Sequence, residues 1–532
     1  MSRTPVQSPR PHKRSAEDRA FVRRQRNERA RTVPRRVARA RLTRPAGPRA
    51  LLRRVPRAAW ICALIALLNA AAWSLIIPPF QGRDEIDHFA YTAQLAESGS
   101  LPHEGQGAPT YPPEESLTLQ GLRYWEVRFT PYTPAISSDA EQKTLIEYAN
   151  AGYPLQGTGE AGGASDEPPL YYGVQILPYE LGGHDVLVKL QLMRLFSVLL
   201  GALTALLVFL FLRELLPRAP WAATVGAICV ALQPAFAFMS GTDNPDVMLY
   251  ALSAGIFLCL ARAFRRRFTK RLAVILGLLV AAGLVTYFSF IGVALGAYAA
   301  LVVLALRDAR VRGRAALVAP AIALAIGLAP VLADGLHNLL AGHKTFGEAS
   351  TIGGKLTPGT LFNELSYIWQ LYLPRLPGMT HYFEGISTWR EVWFDRSVGF
   401  YGWMDTMFPG WVQNVALVLA TPIALLCGRE LVRSRHALRA RLPELGAFVV
   451  IVLGVLVMLG VTSYATDVVK HELALGEPRY LLVLIPLLGA LVALAVRGAG
   501  PRWMPVAGAA LVVLFLGHDL FSQLQVIARY YG

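Results

Sequence analysis

The sequence predicts an all-α polytopic membrane protein with about eleven transmembrane helices and large extracytoplasmic loops that carry short amphipathic helices. Three observations predict it. The 532 residues are 54% hydrophobic and only 17% charged, with a mean hydropathy of +0.38, whereas soluble chains carry about 25% charge. Several apolar runs reach the roughly 17–25 residues that cross a bilayer. Basic residues recur in every second connection between those runs, the pattern of loops retained in the cytoplasm.

The runs lie at about 58–77, 191–213, 220–239, 246–264, 271–286, 289–306, 315–333, 411–427, 444–463, 480–496 and 503–517. The first follows 57 residues and has no small-residue cleavage site after it, so it reads as a retained span and not a signal peptide. Residues 1–57 hold 19 Arg or Lys against Glu17, Asp18 and Glu28, which accounts for the whole net charge of +16. This tail is rich in Pro and Ser and poor in apolar residues until Ala50. It predicts a disordered cytoplasmic segment lying on anionic lipid headgroups, with binding of RNA or another partner as the alternative. With the surplus confined there, the remainder (58–532) is neutral overall and offers no nucleic-acid footprint. The four cysteines sit inside apolar runs without metal spacing and read as small hydrophobes.

An N-terminus inside places Arg213 and Arg218, Arg262 to Arg271, Arg307 to Arg314, Arg429 to Arg441, and Arg497 with Arg502 in cytoplasmic connections. The C-terminus then lies outside. The outer connections differ in kind: 78–190 is long and acidic, 334–410 is aromatic, and 464–479 is short. In the first, a helix is expected at about 84–98, because Pro78-Pro79 and Gly82 end the span and acids suit a helix start. Asp84, Asp87, His88 and Tyr91 would share one face and Phe89, Ala93 and Ala96 another, as in an amphipathic helix lying on the membrane. Residues 100–169 read as mainly irregular, with a helix from about Ser138 to Asn150. No internal repeat is visible, which weighs against a secondary transporter.

Asp84, Glu85, Asp87 and His88 crowd into five positions just after the first span. Three chemistries suit them. A carboxylate can act as general base toward an acceptor hydroxyl; Asp, Glu and His can hold Mg²⁺, Mn²⁺ or Zn²⁺; or the acids can simply cap a solvated helix. Asp243-Asn244-Pro245-Asp246 makes a turn and cap for the fourth span, or supports the same cavity. Arg479-Tyr480 opens the tenth span from outside, against the positive-inside bias. It reads either as snorkelling or as a phosphate clamp, with Arg375 and Arg390 as weaker candidates and Lys470 and His471 nearby. Gly399 to Thr406 offers Trp403 and Asp405, for an interfacial belt or for a sugar ring and its hydroxyls. There is no P-loop and no GxGxxG in a strand–helix setting. The outward position of the acids argues against a cytosolic nucleotide-sugar donor.

Pro78-Pro79-Phe80-Gln81, Asp84-Glu85 and His88, then Pro168 to Tyr172, Asn244 and Asp246, Gly402 to Thr406, and Arg479 to Leu481 occur in that order. The ordered set resembles a bacterial family of predicted membrane proteins of unassigned function within the GT-C superfamily of polyprenyl-phosphate-dependent glycosyltransferases. The chain departs from it at Arg83, where Pro is usual, at Glu167, where His is common, and at Glu477-Pro478, where Gly is more usual; residues 101–165 are longer.

The resemblance implies a multi-pass protein of the bacterial plasma (inner) membrane. It implies inverting transfer of a sugar from a polyprenyl-phosphate donor to an extracytoplasmic cell-envelope glycan, lipid or protein acceptor. Asp84 would be the base, with Glu85 and His88 orienting it or holding a divalent metal (Mg²⁺ or Mn²⁺). Asp243, Asn244, Asp246, Asp405 and Tyr480 would line the substrate. Arg479 would neutralise the leaving phosphate, supported by Arg375 or Arg390. A polymerase or ligase of lipid-linked oligosaccharide is the related alternative. A transporter or flippase of lipid-linked glycans is the non-enzymatic one, and it predicts ionisable residues in mid-span.

Overall fold

In a computed structural model, residues 55–102, 111–135, 138–151, 164–165, 167–341, 358–403, 405–469 and 477–532 are described. Nearly all of the basic tail, with Asp166, Met404, Lys470 and His471, lies outside them. Residues Pro56–Gly532 form one compact unit.

That unit is an all-α bundle. Its longer helices are α1 (Arg57–Ile76), α2 (Glu85–Ser98), α3 (Pro113–Gly121), α4 (Asp139–Ala149), α5 (Leu170–Leu181), α6 (Val186–Leu215), α7 (Pro220–Ala231), α8 (Pro234–Ser240), α9 (Asp246–Arg265), α10 (Lys270–Leu284), α11 (Ile291–Arg312), α12 (Val318–Ala341), α13 (Pro358–Tyr372), α14 (Gly410–Arg433), α15 (Leu442–Tyr464), α16 (Ile485–Gly498) and α17 (Met504–Tyr531). The β structure among the described residues is one antiparallel pair, β1 (Phe400–Tyr401) and β2 (Thr406–Met407).

Nine helical segments among the described residues are long and apolar enough to cross a membrane. A tenth span is α7 with α8, bent by 59°. Pro234 has no N–H for the ladder, and Gln233 restarts the helix by accepting from the Phe236 N–H at 2.6 Å. The eleventh expected span, 271–286, is the 15-residue α10. At 1.5 Å per residue it reaches about 22 Å, short of a hydrocarbon core of about 30 Å. The count is therefore nine or ten full spans plus one short helix. Helices α1 and α9 pack against α6, α10 against α12, α11 against α15, and α7 and α14 against α16.

The connection between α1 and α6 is more ordered than its composition suggests. Ser138 caps α4 through the Glu141 N–H at 3.2 Å, as expected. Helix α3 starts with Pro113 at its first position and two glutamates in the first turn, a start signal inside a stretch expected to be irregular. Helix α2 does not lie on a surface: Glu85, Ile86 and every residue from His88 to Ala93 are buried. Phe89 and Ala93 join Phe80, Leu119 and Trp403 in one apolar cluster, while Tyr91 stacks on Tyr172 of α5 at 3.7 Å between ring centroids.

Candidate functional site

The chain leaves α1 through Pro78-Pro79 and turns back sharply. Phe80 and Asp84 both sit in the left-handed region, at φ 61° and 59°. Asp tolerates that conformation, but for a residue as bulky as Phe it is an outlier, held here by full burial and by Trp403, whose indole N–H donates to the Phe80 carbonyl at 3.2 Å. Gly82 permits the close approach, since a Cβ there would stand 2.5 Å from Glu85 Cδ and 2.6 Å from Thr242 Cγ2.

Asp84 occupies the N-cap position of α2, yet its side chain caps nothing. Its carboxylate enters a closed ring of charges. Arg479 Nη2 donates to Asp84 Oδ2 at 2.7 Å; Arg479 Nε lies 2.7 Å from Glu477 Oε2; Arg83 Nη2 lies 2.7 Å from Glu477 Oε1; and Arg83 Nε lies 3.3 Å from Asp84 Oδ1. Asp246 Oδ2 stands 3.9 Å from Arg479 Nε, and the Tyr480 hydroxyl accepts from Arg479 Nη2 at 2.9 Å. Arg479 Nη1 is buried and without a partner. Burial pushes the Asp84 carboxyl up, but Arg479 and Arg83 outweigh it and hold the group at about 2.

His88 lies behind the ring. Its Nδ1 is 3.0 Å from the Tyr172 hydroxyl and its Nε2 is 3.3 Å from the Asn244 amide nitrogen. Burial lowers its pKa to about 4, so the ring is neutral near pH 7. The Asn244 amide then donates to Nε2, which leaves Nδ1–H to donate to Tyr172. Asn244 also donates to the Arg83 carbonyl at 3.2 Å and accepts from the Asp246 N–H at 2.9 Å.

Glu85 is one residue from Asp84 and has another fate. It is fully buried, and Arg194 grips it with two bonds of 2.8 and 2.6 Å. The Gly82 N–H adds one at 3.0 Å and the Asp243 N–H one at 2.9 Å. Arg194 spends its other donors on the carbonyls of Ser74, Ile77 and Pro78. With both Glu85 oxygens taken by these donors, Glu85 does not fit the role of metal ligand. Among the described residues no three His, Cys, Asp or Glu side chains gather as a metal-holding group.

Asp243 accepts from Tyr171 at 2.6 Å and Gln175 at 2.8 Å, and its Oδ2 is buried without a partner. Burial raises its carboxyl to about 7. Other expected residues are engaged elsewhere. Arg390 pairs with Asp395 at 2.7 Å and donates to Asn414 at 2.7 Å, while Arg375 donates to the Met379 carbonyl at 3.0 Å. Asp405 is held by Arg529 at 2.8 and 3.0 Å. Trp403 is 2% exposed, under the guanidinium of Arg128 at 3.7 Å, so its face is not open to a sugar. Asp84, Glu85, His88, Asp243, Asn244, Asp246, Arg479 and Tyr480 thus form one connected cluster, which Arg375, Arg390 and Asp405 do not join.

Sequence reasoning missed Arg194, Tyr171, Tyr172 and Gln175 as parts of this cluster. Arg194 carried a signal: a charge four residues inside an apolar run marks a buried partner.

A family profile described as "Predicted membrane protein (DUF2142)" matches residues 67–488. The chain belongs to this family. The DUF2142 match takes in the ring, from Arg83 to Arg479, and ends within α16. No curated protein matches the chain in sequence. Among solved structures it is similar to a crystal structure of the Archaeoglobus fulgidus oligosaccharyltransferase tethered to an acceptor peptide with an NVT sequon, at 12% identity and a TM-score of 0.39. That alignment covers 89% of this chain and 55% of the other, so the chain spans about half the length of the enzyme it matches.

Proposed function

We propose that this DUF2142 protein is a membrane glycosyltransferase that moves a sugar, with inversion, from a polyprenyl-phosphate donor to an extracytoplasmic glycan, lipid or protein acceptor. The bilayer is the bacterial plasma membrane, with the N-terminus cytoplasmic and the C-terminus outside. One observation carries the reading. Asp84 and Arg479, 395 positions apart, meet at the ends of two spans with a buried, unpartnered Arg479 N–H group beside them. A carboxylate for the acceptor proton and a guanidinium for a phosphate are the two charges this transfer needs.

In the resting ring Asp84 is a poor base, because Arg479 stabilises its ionised form. A donor phosphate offers Arg479 a second anion, and Nη1 is the free donor to receive it. As Arg479 turns toward the phosphate, its hold on Asp84 weakens and the basicity of that carboxylate rises. Asp84 then takes the proton of the acceptor hydroxyl, whose oxygen forms the new bond to the anomeric carbon. The bond from that carbon to the phosphate oxygen breaks on the opposite side, and polyprenyl phosphate leaves with the electron pair, stabilised by Arg479. Glu85, held by Arg194, fixes the turn that presents Asp84. Neutral His88 positions Asn244, which holds the Arg83 carbonyl.

The test is transfer by the purified full chain in vesicles supplied with polyprenyl-phospho-sugars and an envelope acceptor fraction. Asp84→Asn is expected to lower transfer about 10²–10⁴-fold. Arg479→Gln is expected to slow it and to weaken competition by free polyprenyl phosphate. Full transfer by a folded Asp84→Asn protein would remove Asp84 from the mechanism.

A further inference from the structure

Arg194 and Arg213 lie 19 residues apart on the unbroken helix α6, about 28 Å along its axis. The charge ring therefore marks one end of the bundle and Arg213 the other. At that second end a cleft of about 510 Å³ opens where α6, α9 and α11 finish and α15 begins. Arg213, Arg265, Arg266, Arg307 and Arg441 line it. Glu214 and Glu444 are its acids, which leaves a surplus of three positive charges.

Part of this lining is rigid. Arg265 bonds Glu444 at 2.8 Å and also donates to the carbonyls of Glu214 and Leu215. Arg307 pairs with Asp308 at 2.9 Å and donates to the carbonyls of Ala263 and Phe264 at 3.2 and 2.9 Å, and Arg266 clamps Glu214 at 2.9 and 2.7 Å. Two arginines stay outside these pairs: among the described residues, neither Arg213 nor Arg441 has a carboxylate partner within 4 Å. Arg441 feels Arg265 and Arg497 as like charges, with Glu444, already bonded to Arg265, as the opposing one. The charge ring is balanced, whereas the lining of this cleft carries more cations than carboxylates, with Arg213 and Arg441 outside its ion pairs.

We infer that the cleft binds the phosphate of an anionic phospholipid from the surrounding leaflet, with Arg213 and Arg441 as its principal contacts. The position selects the source. The cleft lies at the ends of spans, level with headgroups, and its volume suits a phosphoglycerol headgroup while the acyl chains remain in the bilayer. The chain's own N-terminal segment is strongly basic and cannot supply the missing charge.

The experiment titrates the detergent-solubilised full chain with phosphatidylglycerol, phosphatidylcholine or inorganic phosphate. Bound lipid is read by native mass spectrometry and protection by thermal unfolding. High salt screens non-specific attraction to the basic N-terminal sequence. Phosphatidylglycerol is expected to bind in preference to phosphatidylcholine. The Arg213→Gln/Arg441→Gln protein is expected to lose about tenfold or more in that affinity, and the Arg→Lys pair, which keeps the charge and controls for folding, most of it less. Equal binding of the two lipids, or an unchanged Gln/Gln protein, would overturn the site. Protection by inorganic phosphate as strong as by phosphatidylglycerol would overturn the lipid as occupant. None of these readings depends on glycosyl transfer.

Discussion

Asp84 and Glu85 are neighbours in the chain, and both face an arginine from a distant span. Glu85 is 0% exposed and takes four donors, while the Asp84 side chain is 24% exposed and shares its arginine with Glu477. The first pair is saturated and fixed. The second is an exchangeable contact beside an unpartnered N–H group. Two acids of one sequence motif are thus divided by their surroundings into an anchor and a candidate reactant. The division follows from the left-handed turn at Asp84, which sends consecutive carboxylates in different directions.

Removing the anchor's arginine should have the greatest effect. Arg194→Met leaves a buried, unpaired Glu85 and three carbonyls without their donor, and should cost about 3–5 kcal/mol of stability. Arg194→Lys should rescue little, because an ammonium cannot reproduce the planar fork. Glu85→Leu with Arg194→Leu should be milder than Arg194→Met alone, since no buried charge remains. Thermal unfolding in detergent measures all three. Asp84→Asn, which spoils transfer in the proposed mechanism, should shift the same midpoint far less. An Arg194→Met protein as stable as wild type would dissolve the distinction between the two acids.

The pH dependence of unfolding tests the neutral histidine beside the ring. His88 has an ordinary pKa of 6.5 and about 4 in the fold, so between these values the unfolded chain binds more protons. Its contribution to stability is complete above pH 6.5 and falls as pH drops toward 4, by up to about 3 kcal/mol. Asp243 acts in the opposite sense: its carboxyl rises from 3.8 to about 7, so that contribution is present below pH 4 and is lost as pH rises through 7. The two windows overlap and oppose each other between pH 4 and 6.5, so His88→Gln should leave stability falling more steeply with rising pH across that range than in the wild type. An unchanged pH profile in that variant would show that His88 does not contribute.

Much of the fold was legible because hydrophobic run length and loop charge are local signals. The candidate site was legible where charges stood at the ends of spans: Asp84 after the first span and Arg479 at the start of a late one. What was not legible depends on which distant residue answers a charge. Nothing near Asp405 announces Arg529, and nothing near Glu85 announces Arg194. The last helix runs to Tyr531, past an apolar run ending near 517. Its polar residues are satisfied by other helices and the hairpin, Asp519 by the Trp73 indole at 3.0 Å and Ser522 by the Tyr401 hydroxyl at 2.8 Å. Their i, i+3 spacing was readable as one helix face; their partners were not.

The smallest effect is the most specific. Arg83 and Glu477 both depart from the pattern expected at their positions, and they bond to each other at 2.7 Å across 394 residues. The pair closes the ring, so Glu477 shares Arg479 with Asp84. A cycle of Arg83→Gln, Glu477→Gln and the double variant should give a stability coupling of about 0.5–1 kcal/mol, because the pair is only partly buried. Its influence on the Asp84 side should exceed that. Glu477→Gln removes the second anion on Arg479, tightens Arg479 on Asp84 and should slow transfer, while Arg83→Gln loosens Asp84. Transfer rates that move in the same direction for both single variants would mean that the ring is a passive brace, and that Asp84 is as fixed as Glu85.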